Sequence, residues 1–357
     1  MTTGEFYAFS TIVTLQAFAQ EEFFTEVFLE VKALCHVYER LFSRTLPHSD
    51  IAMLNAAEGA EVEVAYDTYQ LLHSAQYYCA ESEGAFDITI GPVVRLWDWK
   101  NENVPREDAI KEALSHVGWR NLLLREEAAA GSAPAVRAPA VRAPAVRVPA
   151  ACVPAGSAPD GSAPDGCVPD GSVPDGCAPG VQQRYYARLE DPKASVDLGG
   201  IAKGYIADNA AWYLEARGLG AFIINLGGNV VAKGTKPGGV PWRIGLRNPK
   251  DKTGVLGAVD VSNASAVTSG IYERCFTKDG VLYHHILDAK TGTPTNTDVA
   301  GVTVIAEKSM DAEGFSTTLL ALGTERGITF ARSKSAIKKA VFVTRDGRII
   351  TSDEKTT

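Results

Sequence analysis

Cysteine, long apolar runs and excess positive charge are all scarce in this 357-residue chain, and each shortage removes a class of function. The six cysteines, Cys35, Cys79, Cys152, Cys167, Cys177 and Cys275, include no C-x-x-C pair, so the usual zinc-ligand spacing is missing. The chain is also far too long for a disulfide-stapled miniprotein. No apolar run approaches the length that spans a bilayer. The opening Met1-Thr2-Thr3-Gly4-Glu5 has no basic region and no apolar core of a secretion signal follows, so the sequence as written predicts a soluble, cytoplasmic protein. A net charge of −8 argues against broad electrostatic attraction to nucleic acid or to anionic membranes. Neither G-x-G-x-x-G nor G-x-x-x-x-G-K-[ST] occurs, so the two commonest phosphate-binding fingerprints are absent.

What is present is a normal globular balance, 45% hydrophobic and 22% charged, with enough length for a large core. Residues 6–18 mix aromatic and β-branched side chains and predict a strand. From Glu21 to Leu41, apolar residues including Phe24, Val27, Val31, Leu34 and Tyr38 recur at helical spacing. Further helices are predicted over 67–80, 201–217, 310–322 and 325–333. Strands are predicted over 221–225, 230–232, 242–246, 258–261, 281–286, 302–306, 340–344 and 348–351. Strands and helices interleave without strict βαβ alternation, which favours an α+β fold, mixed sheets with packed helices, over a doubly wound sheet.

Residues 128–180 differ in kind. AVRAP, AVRAP and AVRVP fill 135–149, and five GSAPD-like units fill 156–180. Proline at every fifth position removes backbone donors and fixes φ, and large apolar groups are nearly missing. The segment reads as a disordered insertion that divides one domain into an N-terminal part, 1–127, and a C-terminal part, 181–357.

Four segments combine residue types that carry chemistry, and each also has a plain structural reading. Asp197-Leu198-Gly199-Gly200-Ile201-Ala202-Lys203-Gly204 sits at a loop-to-helix junction, where small residues, a helix N-terminus and a lysine suit a pyrophosphate. The same residues can form an ordinary turn. Gly227-Gly228-Asn229 is either a hairpin turn or a ligand-contacting loop. In Tyr283-His284-His285-Ile286-Leu287-Asp288, a histidine at a strand end serves proton transfer or a structural hydrogen bond. In a strand the two histidines would point to opposite faces. Within Met310-Asp311-Ala312-Glu313-Gly314-Phe315-Ser316-Thr317, a helix puts Glu313, Ser316 and Thr317 on one side, an oxygen array suited to Mg²⁺. Alternatively, Asp311 and Glu313 simply complement a helix dipole.

Taken in order, VDLGGIAKGY, NLGGN, HHILDAKTGTP and VTVIAEKSMDAEGFSTTLLALG resemble successive signatures of the ApbE family of FAD:protein FMN transferases. Upstream, GAFDITIGPVVRLWDW and LFSRTLPHSDIAMLN are similar to further blocks of that family, and only 128–180 lies outside the likeness. The resemblance implies FAD as substrate and Mg²⁺ at its pyrophosphate. It implies FAD contacts at Ala85, Phe86, Asp87, Asp197, Lys203 and Leu287, and metal-site positions at Gly200 (through its carbonyl), Glu313, Ser316 and Thr317. By the same likeness His285 is the catalytic candidate for proton transfer or orientation. An acceptor protein is implied too, of the redox-pump or flavin-reductase subunit class, flavinylated on Ser or Thr in an Asp-x-x-Ser/Thr-Gly-Ala-Thr-like motif. Family members often work in the periplasm on a lipid anchor, the placement expected here if a leader precedes Met1. The chain departs from the family's usual pattern at Glu313 (usually Asp), Thr45 (often aromatic), Phe9 (commonly methionine) and Ala289 (usually proline). An FAD pyrophosphatase and a non-catalytic flavin-binding protein are the alternative functions.

Overall fold

The computed structural model describes residues 1–127, 183–249 and 251–353. The 128–180 segment read as disordered lies outside the described residues. The main sheet has eight strands, Thr2–Ala8, Thr11–Ala17, Phe222–Leu226, Asn229–Lys233, Ala264–Gly270, Val299–Ala306, Ile337–Thr344 and Ile349–Thr351. They lie side by side in chain order and every neighbouring pair is antiparallel. The α+β reading holds.

Three helices, Glu21–Phe42, Ala202–Ala216 and Ser309–Ser333, supply much of the main hydrophobic core against this sheet. The first buries Phe24, Val27, Val31, Leu34 and Tyr38, the stripe its spacing predicts, while Glu21 and Glu22 complement the dipole in its first turn. The Val299–Ala306 strand, VAGVTVIA, is buried at every position, as expected of a strand covered on both faces. Its other cover is the hairpin of Trp242–Asn248 and Asp251–Val261, whose Trp242 and Val261 pack with Ala232, Ala264, Ala266 and Ile305.

Two expectations need correcting. Residues 6–18 are not one strand: Phe9 and Ser10, with φ of 53° and 58°, turn the chain back into a hairpin. The predicted 281–286 strand stops at His284. The two C-terminal helices do exist as expected. They run on as Ser309–Ser333 with a break at Gly323, whose φ is 78°.

A three-stranded sheet carries Arg184–Leu189 between Val62–Val64 and Leu122–Glu127. Glu127 and Arg184 face each other in its register. The chain therefore leaves and re-enters this sheet at one place, with residues 128–183 between. Among the described residues no helix is long and apolar enough to cross a membrane.

Candidate active site

The site is built where the Ala202–Ala216 helix meets the start of the Ser309–Ser333 helix. The helices approach closely because residue 204 is glycine: a Cβ there would lie 2.8 Å from Met310 Cα and 2.9 Å from the Ser309 carbonyl oxygen. Asp208, one turn further along, accepts hydrogen bonds from the amides of Ser309 (2.7 Å) and Met310 (2.9 Å). One helix thus caps the other, fixing the register between them. Burial pushes the Asp208 carboxyl up to about 6.

That register brings Glu313 onto the Gly204 amide, which donates to one carboxylate oxygen. The other oxygen, Oε1, lies 2.8 Å from Lys203 Nζ. Glu313 is only 4% exposed, so its charge is compensated by an ammonium and a backbone donor rather than by water. Lys203 also donates to the Gly199 carbonyl at 3.2 Å. Thr317 Oγ1 lies 3.7 Å, and the Phe86 ring 3.1 Å, from the point a Cβ at Gly200 would occupy. Gly200, Phe86, Lys203, Glu313 and Thr317 therefore form one cluster. Ser316 belongs to its support: fully buried, its hydroxyl donates to the Glu313 carbonyl (3.0 Å) and lies 2.7 Å from Ser269 Oγ.

His285 lies near enough for the charge of Lys203 to act on it. Burial first, then Arg274 and more weakly Lys203, lower its pKa to about 4, so the ring is neutral at pH 7. Its Nδ1 is buried without a hydrogen-bond partner. The two histidines have different surroundings: Arg345 and Thr295 act on His284, Arg274 and Lys203 on His285. His284 is 1% exposed and its Nε2 donates to the Thr295 carbonyl at 3.1 Å, while its Nδ1 is also buried and unpartnered. Because the strand ends at His284, strict alternation no longer governs His285.

The other predicted residues take different positions. Asp197 accepts the Gly199 amide at 2.8 Å and pairs with Arg44 Nε at 3.1 Å. Ala85 lies in the turn after the Tyr66–Glu81 helix, where its amide donates to the Ser82 carbonyl. Asp87 is held by the Thr89 amide (2.8 Å), the Thr89 hydroxyl (2.6 Å) and the Trp119 amide (3.1 Å), and burial raises its pKa. It lines a cavity of about 330 Å³ with Trp119, Arg120, Ala289 and Lys290. Leu287 packs away into a separate apolar group with Val93, Trp97, Ile110 and Ala113. Gly227 and Gly228, with φ of 62° and 96°, form the two-residue turn between Phe222–Leu226 and Asn229–Lys233, so the hairpin reading holds. The adjoining Asn229 is buried and accepts from Ser309 Oγ at 2.6 Å, a further support at the helix start.

Sequence reasoning missed Arg44, Asp208, Ser269, Arg274 and the Trp119–Arg120 wall. Of these only Arg44 stood inside a block already similar to the family.

Among the described residues no three His, Cys, Asp or Glu side chains gather around a common point. The oxygens gathered there are instead the Glu313 carboxylate, the Thr317 hydroxyl and the Gly199 carbonyl. All are hard oxygens, which suit Mg²⁺ and not zinc, and a positive charge already rests against Glu313. The residues present thus fit a hard divalent cation.

Comparison with known proteins identifies the family. The ApbE family matches residues 9–148 and 172–342. The FAD:protein FMN transferase of Treponema pallidum is 33% identical over 333 residues, covering 90% of this chain and 77% of that protein. That of Klebsiella pneumoniae is 29% identical over 362 residues, covering 99% and 93%. The crystal structure of the ApbE protein from Thermotoga maritima superimposes with a TM-score of 0.75 at 25% identity, over 99% of this chain and 97% of that one. The apo flavinyl transferase ApbE of Pseudomonas stutzeri, at 24% identity and a TM-score of 0.72 over 98% and 93%, shares the fold. With the family matched over well more than half its length, this chain belongs to the ApbE family.

Proposed function

We propose that the chain is a magnesium-dependent flavinyltransferase that moves FMN from FAD to a Ser or Thr hydroxyl of an acceptor protein, releasing AMP. The relatives named FAD:protein FMN transferase support FAD as substrate and a protein as acceptor. The observation that carries the reading is the cluster itself, a lysine, a buried glutamate, the Gly199 carbonyl and a threonine hydroxyl, with a neutral histidine nearby.

The chemical obstacle is the negative charge of the pyrophosphate, which repels an incoming oxygen. Gly200, Glu313 and Thr317 would hold Mg²⁺, which when bound supplies charge neutralisation and orientation at the phosphates. Lys203 adds a second cation within the same cluster. The acceptor hydroxyl oxygen forms a bond to the flavin-side phosphorus. The bond from that phosphorus to the bridging oxygen breaks, and AMP departs with the electron pair. The hydroxyl proton passes to the imidazole of His285, which is free to accept because the ring is neutral. Phe86, against Gly200, closes one side of the cluster and limits water there.

If water replaced the acceptor hydroxyl, the same site would be an FAD pyrophosphatase. Incubation with FAD and Mg²⁺, with and without an acceptor, separates the outcomes. Release of AMP only when acceptor is present supports transfer. AMP without acceptor means hydrolysis, and no AMP in either case means a flavin-binding protein. We also propose the redox-pump or flavin-reductase subunit class for the acceptor.

A further inference from the structure

We infer that Lys203 is the resident counter-ion of Glu313 and yields that carboxylate to the divalent cation, so that metal binding frees the ammonium for the substrate pyrophosphate. The inference rests on the reading above that a hard divalent cation binds at Gly200, Glu313 and Thr317.

Both Glu313 carboxylate oxygens are engaged, one by the Gly204 amide and one by Lys203 Nζ at 2.8 Å. These two partners differ in mobility. The Gly204 amide belongs to a helix whose register is fixed by Asp208, so it cannot withdraw. Lys203 ends a flexible side chain that is 26% exposed, so its head group has room to swing outward. The Gly199 carbonyl, which also accepts from Lys203, keeps the ammonium beside the Gly200 backbone, where a metal would lie.

A divalent ion entering there meets a like charge at contact distance, and the site has only one carboxylate to attract it. Two cations cannot share one buried carboxylate oxygen without strong repulsion. The ammonium is therefore the group that moves.

The test is calorimetric titration of Mg²⁺, without FAD, into the wild-type chain and the Lys203→Met, Lys203→Arg and Glu313→Gln variants. Lys203→Met should bind Mg²⁺ about tenfold more tightly, the size expected from removing one partly screened competing charge. Lys203→Arg, which keeps the charge, should stay near wild type. Glu313→Gln should lose most of the affinity. In chelator, Lys203→Met should also melt below wild type and be raised further by added Mg²⁺, because its buried carboxylate lacks a counter-charge. Should Lys203→Met not fold, Lys203→Gln carries the same comparison. A wild-type chain that binds Mg²⁺ while the uncharged variant's affinity stays within about twofold of it would overturn the inference alone. No Mg²⁺ binding by the wild type would overturn the metal reading and the inference together.

Discussion

Asp208 accepts the Ser309 amide hydrogen at 2.7 Å, so the helix that carries Glu313 is capped by a side chain from the helix that carries Lys203. The relative placement of those two charged groups depends on this bond as much as on the core beneath. Asp208→Ala should cost about 1–2 kcal/mol of stability, the upper part of the range for a lost cap. It should also lower turnover beyond what unfolding explains. Denaturant unfolding and turnover per folded molecule measure the two effects. Full turnover in a destabilised variant would reduce Asp208 to a structural cap.

Glu313→Gln keeps the shape and an acceptor for the Gly204 amide but removes the charge. Stability should change by no more than about 1–2 kcal/mol, because the exposed flank of Lys203 lets the freed ammonium hydrate. Turnover should fall far more and should no longer depend on Mg²⁺. Asp311→Ala is the control: its carboxylate accepts from Tyr78 Oη at 2.6 Å and stands outside the cluster. Magnesium-dependent activity equal to wild type in Glu313→Gln would remove the metal assignment.

The histidines should separate by function. His285→Asn should keep FAD affinity and lose roughly 10²–10⁴-fold in transfer, the usual size of an acid–base contribution. His284→Asn should lower the melting temperature, since it disturbs the ring bond to the Thr295 carbonyl, while transfer per folded molecule stays near wild type. If transfer collapses in His284→Asn and survives in His285→Asn, the roles are reversed.

Proton uptake gives His285 a pH signature. Its pKa is lowered to about 4, mainly by burial, so the neutral base persists well below pH 6.5. The acid limb of the free-enzyme transfer rate should therefore fall near pH 4. By linkage, the unfolded chain takes up this proton at higher pH than the folded one. The His285 contribution to stability is thus complete above pH 6.5 and declines as pH falls toward 4. An acid limb near 6.5 that disappears in His285→Asn would show the ring to be hydrated and not buried.

How much of this was legible in the sequence depends on how local each signal is. The Glu21–Phe42 helix was readable because its buried stripe repeats within one element. The Phe9–Ser10 turn was not, because two non-glycine residues hold positive φ and neither is the Asn or Gly that announces such a turn. In the site, Gly200, Lys203 and Glu313 stood in recognisable motifs. Asp208 is one acidic residue inside a helix, and its partner Ser309 lies 101 positions away. The Arg44–Asp197 pair is equally long-range, and such partners become visible only when the topology joins them.

The register of the three-stranded sheet sharpens an expectation about the repeats. Glu127 and Arg184 are cross-strand partners, so a hairpin turn of a few Gly and Ser residues can join them. A chain with 128–182 replaced in this way should keep its melting temperature and its FAD turnover. Loss of soluble folded protein would mean that the segment is part of the core.

The most direct test of the central claim is covalent flavin on the acceptor. Wild-type chain, FAD and Mg²⁺ are incubated with a protein bearing the Asp-x-x-Ser/Thr-Gly-Ala-Thr-like motif, and in-gel flavin fluorescence is read after denaturation. The account predicts a fluorescent acceptor band with AMP formed in step, and no band when the motif Ser/Thr is changed to Ala. AMP and free FMN accumulating equally with and without the acceptor, and no fluorescent band, would contradict it.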